Sequence, residues 1–179
     1  DLGLGDKIAK AAASVDQANP YMPPPADTDD SGAAVDPLYG KTYLPRKFKT
    51  GFALPPNNDI DVFTNDMGYV AIVEGGKLVG YNLLVGGGLG TSHGNKATYP
   101  RLADVIGFLT REQVVAVGEA VIKIHRDWGD RTDRKHARIK YVLQEKGVEW
   151  FKGELAKQLG APLPAAKPFL FVGQGDAFG

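Results

Sequence analysis

Cysteine is absent from all 179 residues. Within this chain that excludes disulfides, thiolate zinc sites, a cysteine nucleophile and any thiolate-held iron–sulfur cluster. Long apolar runs are also missing: none approaches the roughly 20 residues that span a bilayer. No leader of basic, apolar and small residues is apparent. Net charge is lacking, with 21 Lys+Arg against 21 Asp+Glu, so no global field points to nucleic acid or a membrane surface. Histidine is scarce, and His93, His125 and His136 lack metal spacing such as H-E-x-x-H. No metal site and no Ser–His–Asp set is read. The first residue is Asp1 rather than Met, so the expectation is a processed chain or a piece of a longer one.

What remains is ordinary for a soluble globular domain: 43% hydrophobic and 23% charged residues, enough chain for one core. The neutral total hides an asymmetry. Residues 1–40 carry seven Asp against two Lys, leaving a surplus of +5 on residues 41–179. Residues 1–37, punctuated by Pro20, Pro23, Pro24 and Pro25, read as an acidic tail or linker, with a short helix admitted over Lys7–Val15. Order is expected from about Leu38.

From there the pattern alternates over Thr42–Leu54, a strand, with a second extended piece over Ile60–Thr64. Gly68–Val73 and Leu78–Val85 read as a hairpin turned at Gly75-Gly76. Residues 89–109 read as irregular, with a short helix near Tyr99–Val105. Thr110 and Gln113 form a capping-box signature. Val114, Val117, Val121 and Ile124 then recur at helical spacing to about Trp128. Further helices are expected over Thr132–Lys146 and Val148–Leu159, stopped by Gly147 and Gly160, and a last strand over Phe169–Val172. Strands, then helices, then a strand give an α+β fold. The expected division is a tail over 1–37, a domain over 38–165, and a final strand and linker over 166–179.

Three constellations can carry chemistry. In Arg46-Lys47-Phe48-Lys49, a strand would place both lysines on one face, roughly 7 Å apart. Under a pocket they would bind an oxyanion and supply protons as its oxygens leave as water; the plain alternative is a solvated strand edge. In the second, Gly86–Gly90 runs into His93, Gly94, Asn95 and Lys96. It fails the G-x-G-x-x-G fingerprint at His93 and is either a close-approach ligand loop or a tight strand exit. In the third, Arg131, Arg134, Lys135 and Arg138 fall at helical spacing and would make one helix face cationic. That face is either a carboxylate-binding surface or an ion-paired exposed one.

Tyr43-Leu44-Pro45-Arg46-Lys47-Phe48-Lys49-Thr50, Asn65-Asp66-Met67, Asn82 through Asn95, and Arg126-Asp127-Trp128-Gly129 continuing through Arg131-Thr132-Asp133-Arg134-Lys135 to Lys140-Tyr141 resemble, in order, successive stretches of the sulfite and nitrite reductase family. The likeness runs from about Leu38 to the end. It implies a mixed β-sheet with helices packed on it, the first of two reductase domains. It also implies the family's six-electron chemistry at a sirohaem coupled to a [4Fe–4S] cluster, in sulfate assimilation and cysteine biosynthesis.

By the same resemblance Lys47 and Lys49 match the paired lysines that hold substrate and help deliver protons. Nitrite-specific relatives tend to carry asparagine at the position of Lys49, which favours sulfite here. His93-Gly94-Asn95-Lys96 and Trp128 look more like the bacterial NADPH-linked branch. Candidate cofactor residues are Asn65, Gly86, Gly87, Gly88, His93, Asn95, Arg131, Arg134, Lys135, Arg138 and Lys140, since sirohaem carries eight carboxylates. The implied partners are sulfite, the N- and C-terminal domains of the same polypeptide and a flavoprotein NADPH-oxidising subunit, in the cytoplasm, with neither nucleic acid nor membrane. The segment alone is expected to hold no cofactor, to be inactive and to self-associate through uncovered apolar surface. Two alternatives stand beside this: a nitrite reductase of the same family, and a non-catalytic tetrapyrrole-binding or docking module.

Overall fold

The computed structural model describes residues 35–172. The chain divides into two compact units, residues 1–41 and 42–179. In the first, the described residues form a turn in which the Asp36 carboxylate accepts the Leu38 and Tyr39 N–H groups, each at 2.8 Å. The helix expected over Lys7–Val15 lies outside the described residues.

The second unit is built on a four-stranded mixed sheet in the order β1-β2-β3-β4. β1 (Thr50–Ala53) runs parallel to β2 (Met67–Glu74). β3 (Lys77–Val85) is antiparallel to β2, and β4 (Asp104–Leu109) is antiparallel to β3. Glu74 pairs with Lys77 across Gly75-Gly76, whose φ values of 56° and 76° suit a two-residue turn that residues with a Cβ adopt poorly. After the sheet come α1 (Val114–Trp128), α2 (Ile139–Lys146) and α3 (Val148–Leu159). This is the expected α+β class.

Alternation along β2 sorts the core into two sides. Tyr69, fully buried, faces α1: its hydroxyl donates to the Val114 carbonyl at 3.2 Å and its ring stacks on Phe52 at 4.7 Å. Burial pushes that phenol up from its ordinary pKa. Val70 belongs to the opposite side, in a cluster with Ala53, Val62, Leu84 and Ala103. The C-terminal segment covers this second side. Both ends of the buried Asn82 amide bond the Lys167 backbone, at 2.7 and 2.9 Å. Phe169 and Phe171 pack on Phe63. At the α1–α3 junction Trp128 and Trp150 meet edge to face at 5.0 Å, with the Lys146 ammonium over both rings.

Five sequence expectations are corrected. Thr42–Leu54 is a strand only from Thr50: Pro45 has no N–H, and the Lys49 N–H goes to the Asp66 carboxylate at 2.9 Å rather than to a ladder. Val62–Thr64 is a 3-10 turn, started where the Asn58 side chain takes the Val62 N–H at 2.8 Å. Tyr99–Val105 forms no helix, and β4 follows in a stretch read as irregular. Residues 132–138 are turns, because Asp130 and Asp133 side chains capture the N–H groups of Thr132, Asp133 and Lys135 and compete with the helix. Phe169–Val172 is extended but pairs with no strand. Its Val172 N–H donates to the Pro56 carbonyl at 3.0 Å, while Phe169 and Phe171 point inward.

Candidate functional site: a cationic cleft

The extended run before β1, the end of the glycine loop and the turns before α2 enclose a cleft of about 410 Å³. Arg46, Lys47, Lys49, Lys135 and Arg138 line it, together with the hydroxyls of Thr64, Thr91, Ser92 and Thr98; none of its lining residues is a carboxylate. Among the described residues no ion pair or hydrogen bond engages the ammonium groups of Lys47, Lys49 or Lys135, and all three residues are exposed. Free cations around a common space, with hydroxyl donors between them, suit a multiply charged anion.

The cations are held from behind. Asp66, completely buried, takes Arg138 two-pronged at 3.0 and 2.9 Å while also accepting the Lys49 N–H. One carboxylate therefore fixes both the lysine-bearing run and the guanidinium opposite it. It needs such partners, because a buried charge without them is costly. Phe48 turns away from the cleft and lies against the His125 ring at 5.5 Å. Arg46, which a regular strand would have put beside Phe48, instead joins the two lysines at the cleft.

Gly86, Gly87 and Gly88 support the cleft from behind, and only the far end of the loop, at Leu89 and Gly90, reaches its lining. The N–H groups of Gly86, Gly87 and Gly88 go to the carbonyls of Asp66, Asn65 and Arg101 at 2.9, 3.0 and 2.8 Å. Their carbonyls accept from Arg101, Arg138 and Lys140. A Cβ on Gly87 would stand 2.1 Å from the Phe63 carbonyl oxygen, so close approach explains a glycine there. The Lys140 ammonium is fully buried and donates to the carbonyls of Gly88, Gly90 and Tyr99. Burial draws its pKa down. With three acceptors for three protons, Lys140 braces the loop from within.

Of the residues expected from sequence, the cleft thus gathers Lys47, Lys49, Lys135 and Arg138. Asn65, Gly86, Gly87, Gly88 and Lys140 stand behind the lining. The expected cationic helix face does not exist. Arg131 donates to the Thr42, Tyr43 and Arg126 carbonyls at 3.0, 2.7 and 2.9 Å and so staples the run that leads to Lys47. Arg134 is exposed outside the lining. His93 is exposed at a loop tip, and Asn95 folds that loop by accepting the Ala97 N–H at 3.0 Å. Sequence reasoning missed Thr64, Thr91, Ser92, Thr98 and Tyr141 in the lining, and Asp66 behind it. Only Asp66 left a signal, as an acid directly before the apolar run of a buried strand.

Residues 20–163 match the family described as nitrite and sulphite reductase 4Fe-4S domain. The sulfite reductase (NADPH) hemoprotein beta-component of Myxococcus xanthus is 62% identical over 149 residues, which are 83% of this chain and 26% of that protein. Its namesake in Geobacillus kaustophilus is 51% identical over 156 residues, 87% of this chain and 26% of that protein. The solved structure of the Mycobacterium tuberculosis NirA protein superimposes with a TM-score of 0.59 at 31% identity, covering 70% of this chain and 22% of that one. The chain therefore spans about a quarter of the length of the curated relatives it matches. With most of its length matched and half or more of the aligned residues identical, the chain belongs to the nitrite and sulphite reductase family.

Proposed function

We propose that the chain is the substrate-gripping segment of a sulfite reductase haemoprotein, the polypeptide that carries out the six-electron reduction of sulfite to sulfide. The observation that carries this reading is the cleft in which Arg46, Lys47, Lys49, Lys135 and Arg138 converge without a lining carboxylate. Residues 38–165 form the reductase domain in this reading. The remaining domains of the polypeptide and a flavoprotein that oxidises NADPH are its partners, in the cytoplasm. Among the described residues no helix is long and apolar enough to cross a membrane.

The residues present fit one of the family's two cofactors and not the other. Sirohaem is a polycarboxylate, and five cations with the hydroxyls of Thr64, Thr91 and Ser92 are a suitable donor set for its rim, the Thr98 hydroxyl being spent on the Asn95 carbonyl. The [4Fe–4S] cluster needs thiolates, and this chain has no cysteine to offer, so the cluster's ligands belong elsewhere in the polypeptide. When bound, the coupled pair supplies the electrons. This chain's own side chains do the rest. Lys47 and Lys49 hold the oxyanion by charge and are positioned to donate protons to its departing oxygens, each returning to the ammonium form from solvent. Arg138, locked by Asp66, and Arg46 offer planar donor forks to carboxylates or to the oxyanion. Sulfite rather than nitrite is the substrate because Lys49 adds a second ammonium suited to a dianion.

The test is the visible spectrum of the longest natural polypeptide containing this chain, before and after sulfite. Sirohaem bands that shift on sulfite addition are expected; a colourless protein, after growth that permits sirohaem synthesis, would sink the reading. Lys49→Asn should move the ratio of kcat/KM values from sulfite toward nitrite. An unchanged ratio would remove Lys49 from the specificity role.

A further inference from the structure

The cleft's cations sit on two stretches without regular secondary structure, residues 46–49 and 130–138. One buried side chain on a third element touches both. His125 is in the last turn of α1 and has no exposed surface. The Phe48 ring, between Lys47 and Lys49, lies on it with centroids 5.5 Å apart. Its Nε2 is 3.0 Å from the carbonyl oxygen of Ala137, the residue before Arg138. A carbonyl only accepts, so Nε2 carries the proton and Nδ1 is bare. Among the described residues that Nδ1 is buried without a partner.

An orphan ring nitrogen is unfavourable in a core. Packing alone therefore does not account for a histidine here; the Nε2–H bond to Ala137 does. The charged groups that act on the ring are Asp66, which would favour an imidazolium, and Arg131 and Arg138, which oppose it. Burial dominates and keeps the ring neutral by drawing its pKa below the ordinary value.

We propose that His125 is a positioning residue that fixes the spacing between the lysine arm and the arginine arm of the cleft, so that one small oxyanion meets both. The proposal deepens the function proposed above, but its geometry concerns any oxyanion of that size and does not require the cofactor.

The experiment uses the full-length polypeptide and inorganic sulfate as probe, read by titration calorimetry beside a melting curve. His125→Phe keeps an aromatic ring against Phe48 and removes the N–H. His125→Gln places an amide N–H within reach of the Ala137 carbonyl. Sulfate should bind about tenfold more weakly to His125→Phe, the low end of what supporting residues around ligand sites contribute, and His125→Gln should recover most of that loss. In sulfite turnover, His125→Phe should raise KM more than it lowers kcat. Equal sulfate affinity in His125→Phe and wild type overturns the proposal. So does a His125→Gln variant that binds as weakly as His125→Phe while melting like wild type. If His125→Phe does not fold, Phe48→Leu, which trims the other contact at a half-buried position, should weaken sulfate binding in the same direction, and no change there counts against the proposal. A wild type that binds sulfate yet shows no sirohaem bands rejects the reductase reading and leaves the His125 comparison intact. A wild type that binds no sulfate overturns the proposal, while sirohaem bands that shift with sulfite in that same protein leave the reductase reading standing.

Discussion

Asp66 shows how much one side chain can organise. Its carboxylate is fully buried, answers a guanidinium on two sides and takes a backbone N–H from the lysine run, while its own carbonyl receives the Gly86 N–H. Removing it leaves Arg138, itself largely buried, without its counter-charge. Asp66→Ala should cost on the order of 3 kcal/mol of stability, measured by urea denaturation, and should loosen anion binding beyond that loss. His125 gives a pH dependence with a definite sign. Its folded pKa lies below the ordinary 6.5, so the unfolded chain binds the proton more readily. Stability should therefore be level above that value and decline as pH falls through and below it, flattening again once the folded ring is protonated. Melting temperatures of wild type and His125→Gln should converge toward acid if this ring is the cause; parallel curves would assign the acid loss elsewhere.

At the scale of elements, α1 depends on its start. It is rich in β-branched residues, which form helix reluctantly, and it continues from a 3-10 turn, Arg111–Gln113, that opens on a capping box in which the Thr110 N–H donates to Gln113 Oε1 at 2.9 Å. Thr110→Ala should lower stability by about 1 kcal/mol, read as an earlier urea midpoint. The C-terminal segment depends on Asn82 in the same way. Asn82→Leu should speed amide exchange at Lys167, whose N–H that side chain accepts, well before exchange in β2 or β3 changes; equal protection in both proteins would show that the Phe169 and Phe171 packing suffices.

These elements also show what a sequence discloses. The β2–β3 hairpin was legible because two apolar runs flank a Gly-Gly turn, and α1 and α3 because period and stop signals agree. β4 was not, because Gly107 interrupts its run. The glycine is needed because the Pro164 carbonyl and Leu163 cross within 3 Å of where its Cβ would be, a contact more than fifty residues away in the chain. Helical spacing over 132–138 misled because Asp130 and Asp133 bind their own backbone. Lys47, Lys49, Lys135 and Arg138 could be named from charge, but not the reason they converge, which lies in Asp66 and in Phe48 lying on His125. Gly86–Gly88 looked like a ligand loop from composition, and packing has used all its donors.

For the whole molecule, the chain's share of its relatives' length and its surface tell one story. Leu54, Leu102, Leu170 and Val172 are each at least 60% exposed, and where such side chains adjoin they offer a surface for association. The isolated chain should therefore self-associate. Its sedimentation coefficient should rise with concentration, and a single monomer boundary throughout would count against that. The cleft adds a second expectation at this scale. Because its cations face solvent, sulfate affinity should fall steeply as sodium chloride is raised, and a salt-independent affinity would mean that hydrogen bonds rather than charge hold the anion.

The contact of Trp128 with Trp150 has an optical consequence. They are the chain's only two tryptophans, and they share one spot between two helices. Indole emission from this chain therefore watches that junction alone. An emission-monitored unfolding curve would date the parting of α1 from α3 and be nearly blind to the sheet, so a second label on β2 or β3 is needed before any such transition is taken to describe the entire chain.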